Sequence, residues 1–244
     1  MFPKIRWLLF FALLFTSCHT HKKLGKAQPS LNFTSITNVR SLYLPKVVLR
    51  INADGYLRTH KAKITYLADS IISINIHTSS HRQVAHIIFD DEGLTFYDHY
   101  SDVGYQYSFQ YLTKCVAYPV NFYLVRDIIF GFSPIICGNS VSNFESTFTE
   151  YQELNPSESS ISLKKNENDI PVLVEISAAR PIFKLALGPI SPLTLHLPEY
   201  LTLFLNFNGK DLEFELEYIF HKISVNKEVN INFDTSIPLK PVAE

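Results

Sequence analysis

Between Ile72 and His77 every second residue is isoleucine: Ile72, Ile74 and Ile76 alternate with Ser73, Asn75 and His77. In an extended chain a period of two places the isoleucines on one face and the polar residues on the other. Wound as a helix, the same residues would put Ile74 opposite Ile72 and Ile76 and leave no apolar stripe. The stretch is a strand of a sheet that is wet on one side.

The pattern recurs. "KVVLRIN" runs into a turn at Ala53–Gly55, and "AKITYLADSIISINIH" is two alternating runs meeting at Ala68-Asp69. "QVAHIIFDDEGLTFYDHY" turns at "DDEG", where Gly93 supplies a positive φ. In "YLTLFLNFNGKDLEFELEY" an Asn208-Gly209 turn joins two runs, and Phe214, Leu216, Tyr218 and Phe220 alternate with Glu213, Glu215 and Glu217. Those glutamates read as the wet face of a strand. Further strands are expected at "FESTFTEY", "ISL", "IPVLVEIS", "PIFKLAL" and "VNINF". A hydrophobic share of 46% excludes disorder, and 14% aromatic residues favour strands over helices. Roughly a dozen antiparallel strands make one large, strongly curved sheet.

Two stretches break the period. "SFQYLTKCVAY" spaces Phe109, Leu112 and Val116 as on a helix, and "NFYLVRDIIFG" does the same with Phe122, Val125, Ile128 and Ile129. Asn121 is the expected N-cap of the second helix, Gly131 its C′ residue, and Pro134 lies just beyond. A helical cover at about 108–131 is therefore inserted mid-chain, over the apolar face of the sheet.

The amino terminus suggests the compartment. Lys4 and Arg6 precede the apolar run "WLLFFALLF", which is too short to span a bilayer, and "FTSC" follows. This order resembles a bacterial lipoprotein signal, with residues 1–17 removed and Cys18 carrying the lipid. Residues 18–40 then form a polar tether and 41–240 one domain. No Asp follows Cys18, which fits an outer-membrane anchor facing the periplasm. Cys115 and Cys137 would sit in an oxidising compartment; a disulfide between them is possible, and so are two buried thiols.

A net charge of −1 provides no general electrostatic case for nucleic acid. No nucleophile elbow, zinc-protease helix, P-loop or dinucleotide fingerprint occurs. His77 and His81 are four apart, but at a strand end and its loop that spacing does not form a metal pair. Asp90, Asp91 and Glu92 read as solvated turn residues. Neither catalysis nor a cofactor is expected.

Three stretches, "DSIISINI", "RQVAHIIFDDEGLTFYDHY" and "YLTKCVAYPVNFYLVRDIIFG", follow one another in an order that resembles the LolA/LolB superfamily of lipoprotein carriers and receptors, over roughly 47–134. The resemblance implies a half-open antiparallel β-barrel around a hydrophobic cavity, with short helices as a lid, acting as a monomer. It also implies that the cavity takes acyl chains of lipids or lipoproteins bound for the outer membrane. On that reading Ile72, Ile74, Ile76, Phe89 and Phe96 line the sheet, and Val125, Ile128 and Ile129 form the inner face of the lid. The chain departs from LolB-like receptors in the loop "HTSSHR", which is polar and lacks their protruding leucine. The alternative is an anchored scaffold in an envelope complex, whose apolar residues make a filled core.

Overall fold

A computed structural model describes residues 38–53, 55–116, 119–138, 160–165, 171–177, 181–190, 195–207, 210–220, 223–231 and 237–241. Among these residues thirteen strands form one sheet: β1 (Ser41–Ala53), β2 (Tyr56–Leu67), β3 (Ile71–His77), β4 (Gln83–Phe89), β5 (Gly93–Asp98), β6 (Val103–Ser108), β7 (Ser160–Lys165), β8 (Pro171–Ser177), β9 (Pro181–Leu187), β10 (Tyr200–Phe207), β11 (Lys210–Tyr218), β12 (Ser224–Val225) and β13 (Leu239–Pro241). Their order is β13-β6-β5-β4-β3-β2-β1-β11-β10-β9-β8-β7, with β12 beside β1. β13 and β7 are the two ends of that order, so the sheet does not close. Among the described residues three helices fall between β6 and β7: α1 (Phe109–Val116), α2 (Phe122–Ile129) and α3 (Pro134–Cys137).

β1 is the spine. It pairs with β2 along its length, and on its other side first with β12 and then with β11. The β1–β2 register shifts between Leu44 and Val47, placing Pro45 in a bulge. There its missing N–H costs the ladder nothing, and the bulge bends the strand. At the tip of the β4–β5 hairpin Asp90 Oδ1 accepts the N–H groups of Glu92 (3.0 Å) and Gly93 (3.1 Å). Gly93 has φ 150°, and a Cβ there would lie 2.1 Å from the Tyr107 carbonyl oxygen, so only glycine fits.

Pairing sorts the residues into two faces. On the inner face run the rows Phe96–Ile87–Ile74–Ile64–Leu44 and Phe89–Ile72–Tyr66–Leu42. A third row is His60–Leu49–Leu216–Leu201–Leu187. The helices cover this face: Phe122, Ile129, Phe130, Phe132 and Ile136 join the same core as Ile64, Tyr66 and Ile72. On the outer face lie Lys63, Asn75 and His86, and Thr65, Ser73 and Ile88. The glutamates of β11 also point outward and are not bare: Arg50 bonds Glu215 and Glu217, and Asn52 bonds Glu213.

Several expectations are corrected. β6 was not anticipated; it lies between the turn after Tyr100 and α1, and its Tyr105 and Tyr107 alternate with Gly104 and Gln106. The pairing of β13 with β6 is parallel, and it covers the edge of β6. "VNINF" is not a strand over 229–231; the local strand is β12, whose partners are Leu42 and Tyr43. The expected strand "FESTFTEY" and the Asn208-Gly209 turn lie outside the described residues.

Candidate functional site

Inner-face residues at the β3–β6 end of the sheet and the helices above them form the site that the sequence reading points to. α2 begins as expected: Asn121 Oδ1 accepts the Leu124 N–H at 2.8 Å. It ends in a Schellman motif. The Phe132 N–H bonds the Asp127 carbonyl (2.8 Å), the Gly131 N–H bonds the Ile128 carbonyl (3.2 Å), and Gly131 has φ 57°. A Cβ on Gly131 would lie 2.7 Å from the Pro198 ring, so glycine is required here for both conformation and space. The turn is held down by Tyr218, whose hydroxyl donates to the Ile129 carbonyl, and by Ser133, whose hydroxyl donates to the Leu195 carbonyl. Burial pushes the Tyr218 phenol well above its ordinary value, so it stays a donor.

Every residue assigned to the lining by the sequence falls in or against one core cluster. Ile72, Ile74, Ile76 and Phe96 are buried in it, as is Ile129; Phe89, Val125 and Ile128 are half-buried against it. The inward stripe of α2 differs from the expected one: its buried residues are Phe122, Arg126, Asp127 and Ile129. Val125 and Ile128 flank this stripe instead of forming its centre. The cause is a buried ion pair that the sequence reading missed. Arg126 Nε and Nη2 donate to Asp127 Oδ1 at 2.9 and 2.8 Å, and Nη2 also donates to the Cys137 carbonyl at 3.2 Å. Its guanidinium sits 5.1 Å from the Tyr123 ring centre and 3.8 Å from Asp69 in the β2–β3 turn. One side chain thus ties α2 to α3 and to the sheet.

Cys137 is a free, buried thiol, so the possible bridge to Cys115 is not formed. Cys137 packs beside Arg126 and Asp127 in the core, and burial raises its pKa well above the ordinary value, which keeps it an unreactive thiol. The Cys115 side chain and Cys18 lie outside the described residues.

Around the buried centre the inner face is incompletely covered. Ile87 and Phe89 on β4, Tyr105 on β6, Phe109 on α1 and Leu124, Val125 and Ile128 on α2 are all partly exposed while packing against the core. Leu203 and Phe214, on β10 and β11, have the same character on the other flank. Within the same face β2 presents His60, 8% exposed, with no hydrogen-bond partner for either ring nitrogen. Burial, and then the charge of nearby Arg58, lower its pKa below the ordinary 6.5. Burial lowers the Arg58 pKa to about 10.

The outer face holds a concavity. A groove of about 810 Å³ runs between β2–β4 and the segment after β12, lined mainly by polar side chains. His77 belongs to this groove, whereas His81 lies 3.3 Å from Lys61 Nζ. Among the described residues no group of three or more His, Cys, Asp or Glu is placed to hold a metal ion, and no helix is long and apolar enough to cross a membrane.

Solved structures similar to the chain include the following three. The first is a LolA superfamily protein, NE2245, of Nitrosomonas europaea, at 11% identity and a TM-score of 0.38, covering 81% of this chain and 92% of that one. A DUF1329 family protein of Desulfovibrio piger gives 8% identity and a TM-score of 0.46, covering 84% and 95%. An outer-membrane lipoprotein-sorting protein domain of Vibrio parahaemolyticus gives 8% identity and a TM-score of 0.41, covering 78% and 87%. No protein-family model matches the chain, and neither does any curated protein sequence.

Proposed function

We propose that this chain is a lipid-anchored, non-enzymatic binding protein of the bacterial envelope, facing the periplasm, whose inner face accepts an acyl chain of a lipid or lipoprotein. The observation that carries the reading is the set of half-buried apolar side chains on β4, β6, α1 and α2, Val125 and Ile128 among them, that pack against the core. An acyl chain entering there gains about 0.8 kcal/mol per CH₂ removed from water, so several methylenes suffice without any catalytic group. The Arg126 ties fix the helical layer at its α3 end and leave the Val125–Ile128 flank as the side on which a chain would enter. Cys18 and the polar residues after it would tether the domain to the outer membrane.

Native mass spectrometry of the chain made without residues 1–18 tests this. Co-purified lipid, or binding of an acylated peptide, is expected, together with weaker binding by Val125→Trp and Ile128→Trp that keep the parent melting temperature. A protein that carries no lipid and binds no acylated peptide would end the carrier reading and leave the anchored scaffold.

A further inference from the structure

The outer-face groove is built rather than left over. Its floor is a set of hydrogen-bonded side chains from β3, β4 and the loop after β5. Ser73 and His86, each 1% exposed, bond through Oγ and Nε2 at 2.8 Å, and His86 leans on the Tyr97 ring at 6.0 Å. Gln83 Nε2 bonds both Asn75 Oδ1 and His99 Nε2 at 3.0 Å. These bonds fix which polar atoms face the groove. Its wall is the segment after β12, and that wall is pinned. Asn226 Oδ1 accepts the Arg40 and Ser41 N–H groups (2.7 and 3.3 Å), its Nδ2 donates to the Asn38 carbonyl (2.9 Å), and Ser41 Oγ donates to the Lys227 carbonyl (2.7 Å). Farther on, Ile237 packs with Ile88 and Tyr97, and β13 pairs with β6, so the segment touches the outer face on both sides of the groove.

The lining selects a ligand class. Amides, hydroxyls and imidazoles dominate it: Asn75, Gln83, Ser73, Thr65 and three histidines. Among the described lining residues the formal charges are Lys63 and Lys227 against Glu228, an excess of cation. A groove of this volume holds a ligand of sugar size, and its polarity is opposite to that of the inner face. The geometry points to a binding site for an anionic sugar, a phosphorylated or carboxylated monosaccharide unit, with Lys63 and Lys227 on the anion and the Asn75–Gln83 amides on hydroxyls. It is independent of acyl-chain binding on the other face.

The field of the groove bears on pH. His77 is faced by Lys61 and Lys63 from β2, Asn75 from its own strand, Gln83 from β4, His81 and His99 from the loops, and Lys227 and Glu228 from the wall. Burial, and then Lys63, hold its imidazole below the ordinary 6.5, with further contributions from His81 and His99. An anion among these groups favours the protonated ring, so binding tightens as pH falls.

Titration calorimetry of the full chain in nanodiscs tests the assignment, with glucose 6-phosphate and glucuronate as probes and glucose and inorganic phosphate as controls. Saturable binding of at least one anionic sugar is expected, about tenfold weaker in Lys63→Gln and in Lys227→Gln, and, for glucuronate, whose carboxylate stays ionised throughout, weaker at about pH 8 than at about pH 6. Both lysines are exposed, so neither variant compromises folding; far-UV circular dichroism verifies that. Absence of binding at about 10 mM of either anionic sugar overturns the proposal. So does an affinity that neither substitution moves, or inorganic phosphate or glucose binding as tightly as the anionic sugars.

Discussion

Ile74 and Asn75 are adjacent on β3, yet the first faces a cover of helices and the second a cover of extended chain. The two covers of one sheet are held by different forces. Inside, α1–α3 lie on rows of isoleucine, leucine and aromatic residues, and burial of apolar area dominates. Outside, the carboxy-terminal segment is held by side-chain hydrogen bonds to residues more than 180 positions earlier, with Ile237 as its apolar foot. Away from the Arg126, Tyr218 and Ser133 bonds, apolar contact is non-directional and accommodates reshaping. A hydrogen-bonded cover fixes atoms in place. The first suits an acyl chain of variable length, and the second suits a polar ligand read group by group.

Substitutions that break each cover should differ in size. Phe130 is fully buried, with its ring 5.2 Å from that of Tyr66 where the α2 turn meets the sheet. Phe130→Ala is expected to lower stability by about 3–5 kcal/mol, read by chemical denaturation. A loss below about 1 kcal/mol would mean that the helical layer is not anchored there. On the outer face Ser73→Ala leaves the buried His86 ring without its 2.8 Å partner and should cost about 1–3 kcal/mol. If Ser73→Ala proved as damaging as Phe130→Ala, the two faces would not differ as argued. Asn226→Ala removes the bonds to Asn38, Arg40 and Ser41 at an exposed site and should cost about 1 kcal/mol. Faster amide exchange confined to 223–231 and to the start of β1 would be its signature; global acceleration would count against a locally pinned wall.

How much of this was legible in the sequence follows from the same contrast. The inner face was readable because alternation is local: Ile72, Ile74 and Ile76 declare their face without knowledge of any partner. Asn121 and Gly131 were readable for the same reason, since caps act within a turn or two. Arg126 and Asp127 were not, because charged residues on an amphipathic helix usually face water, and only the positions of Cys137 and Asp69 bring them inward. The groove was hidden more deeply. Ser73, Asn75 and His77 each look like ordinary wet-face residues, and what makes them a site is the register that adds His86 and Gln83 and the distant Lys227. The available signal was the density of amides and imidazoles on both β3 and β4, where a solvated face more often carries Lys and Glu.

The smallest expected effect separates the two faces most finely. Buried His60 on the inner face and half-buried His77 on the outer face both have pKa values held below 6.5, chiefly by burial. A histidine depressed in the folded state is neutral there while the unfolded chain takes up protons. Its stabilisation is therefore full above about pH 6.5 and is lost as pH falls through the folded value. His60 lacks a hydrogen-bond partner and sits at 8% exposure, whereas His77 donates from Nδ1 to the Asn75 carbonyl and is open to the groove. His60→Leu should therefore flatten the acid side of the stability curve, and His77→Leu should change it less, because water screens the outer ring. Urea denaturation at a series of pH values between about 5 and 8 reads both slopes. Parallel curves for the parent and His60→Leu would show that the inner face admits water at His60, which would place the boundary between the dry and wet faces elsewhere on β2.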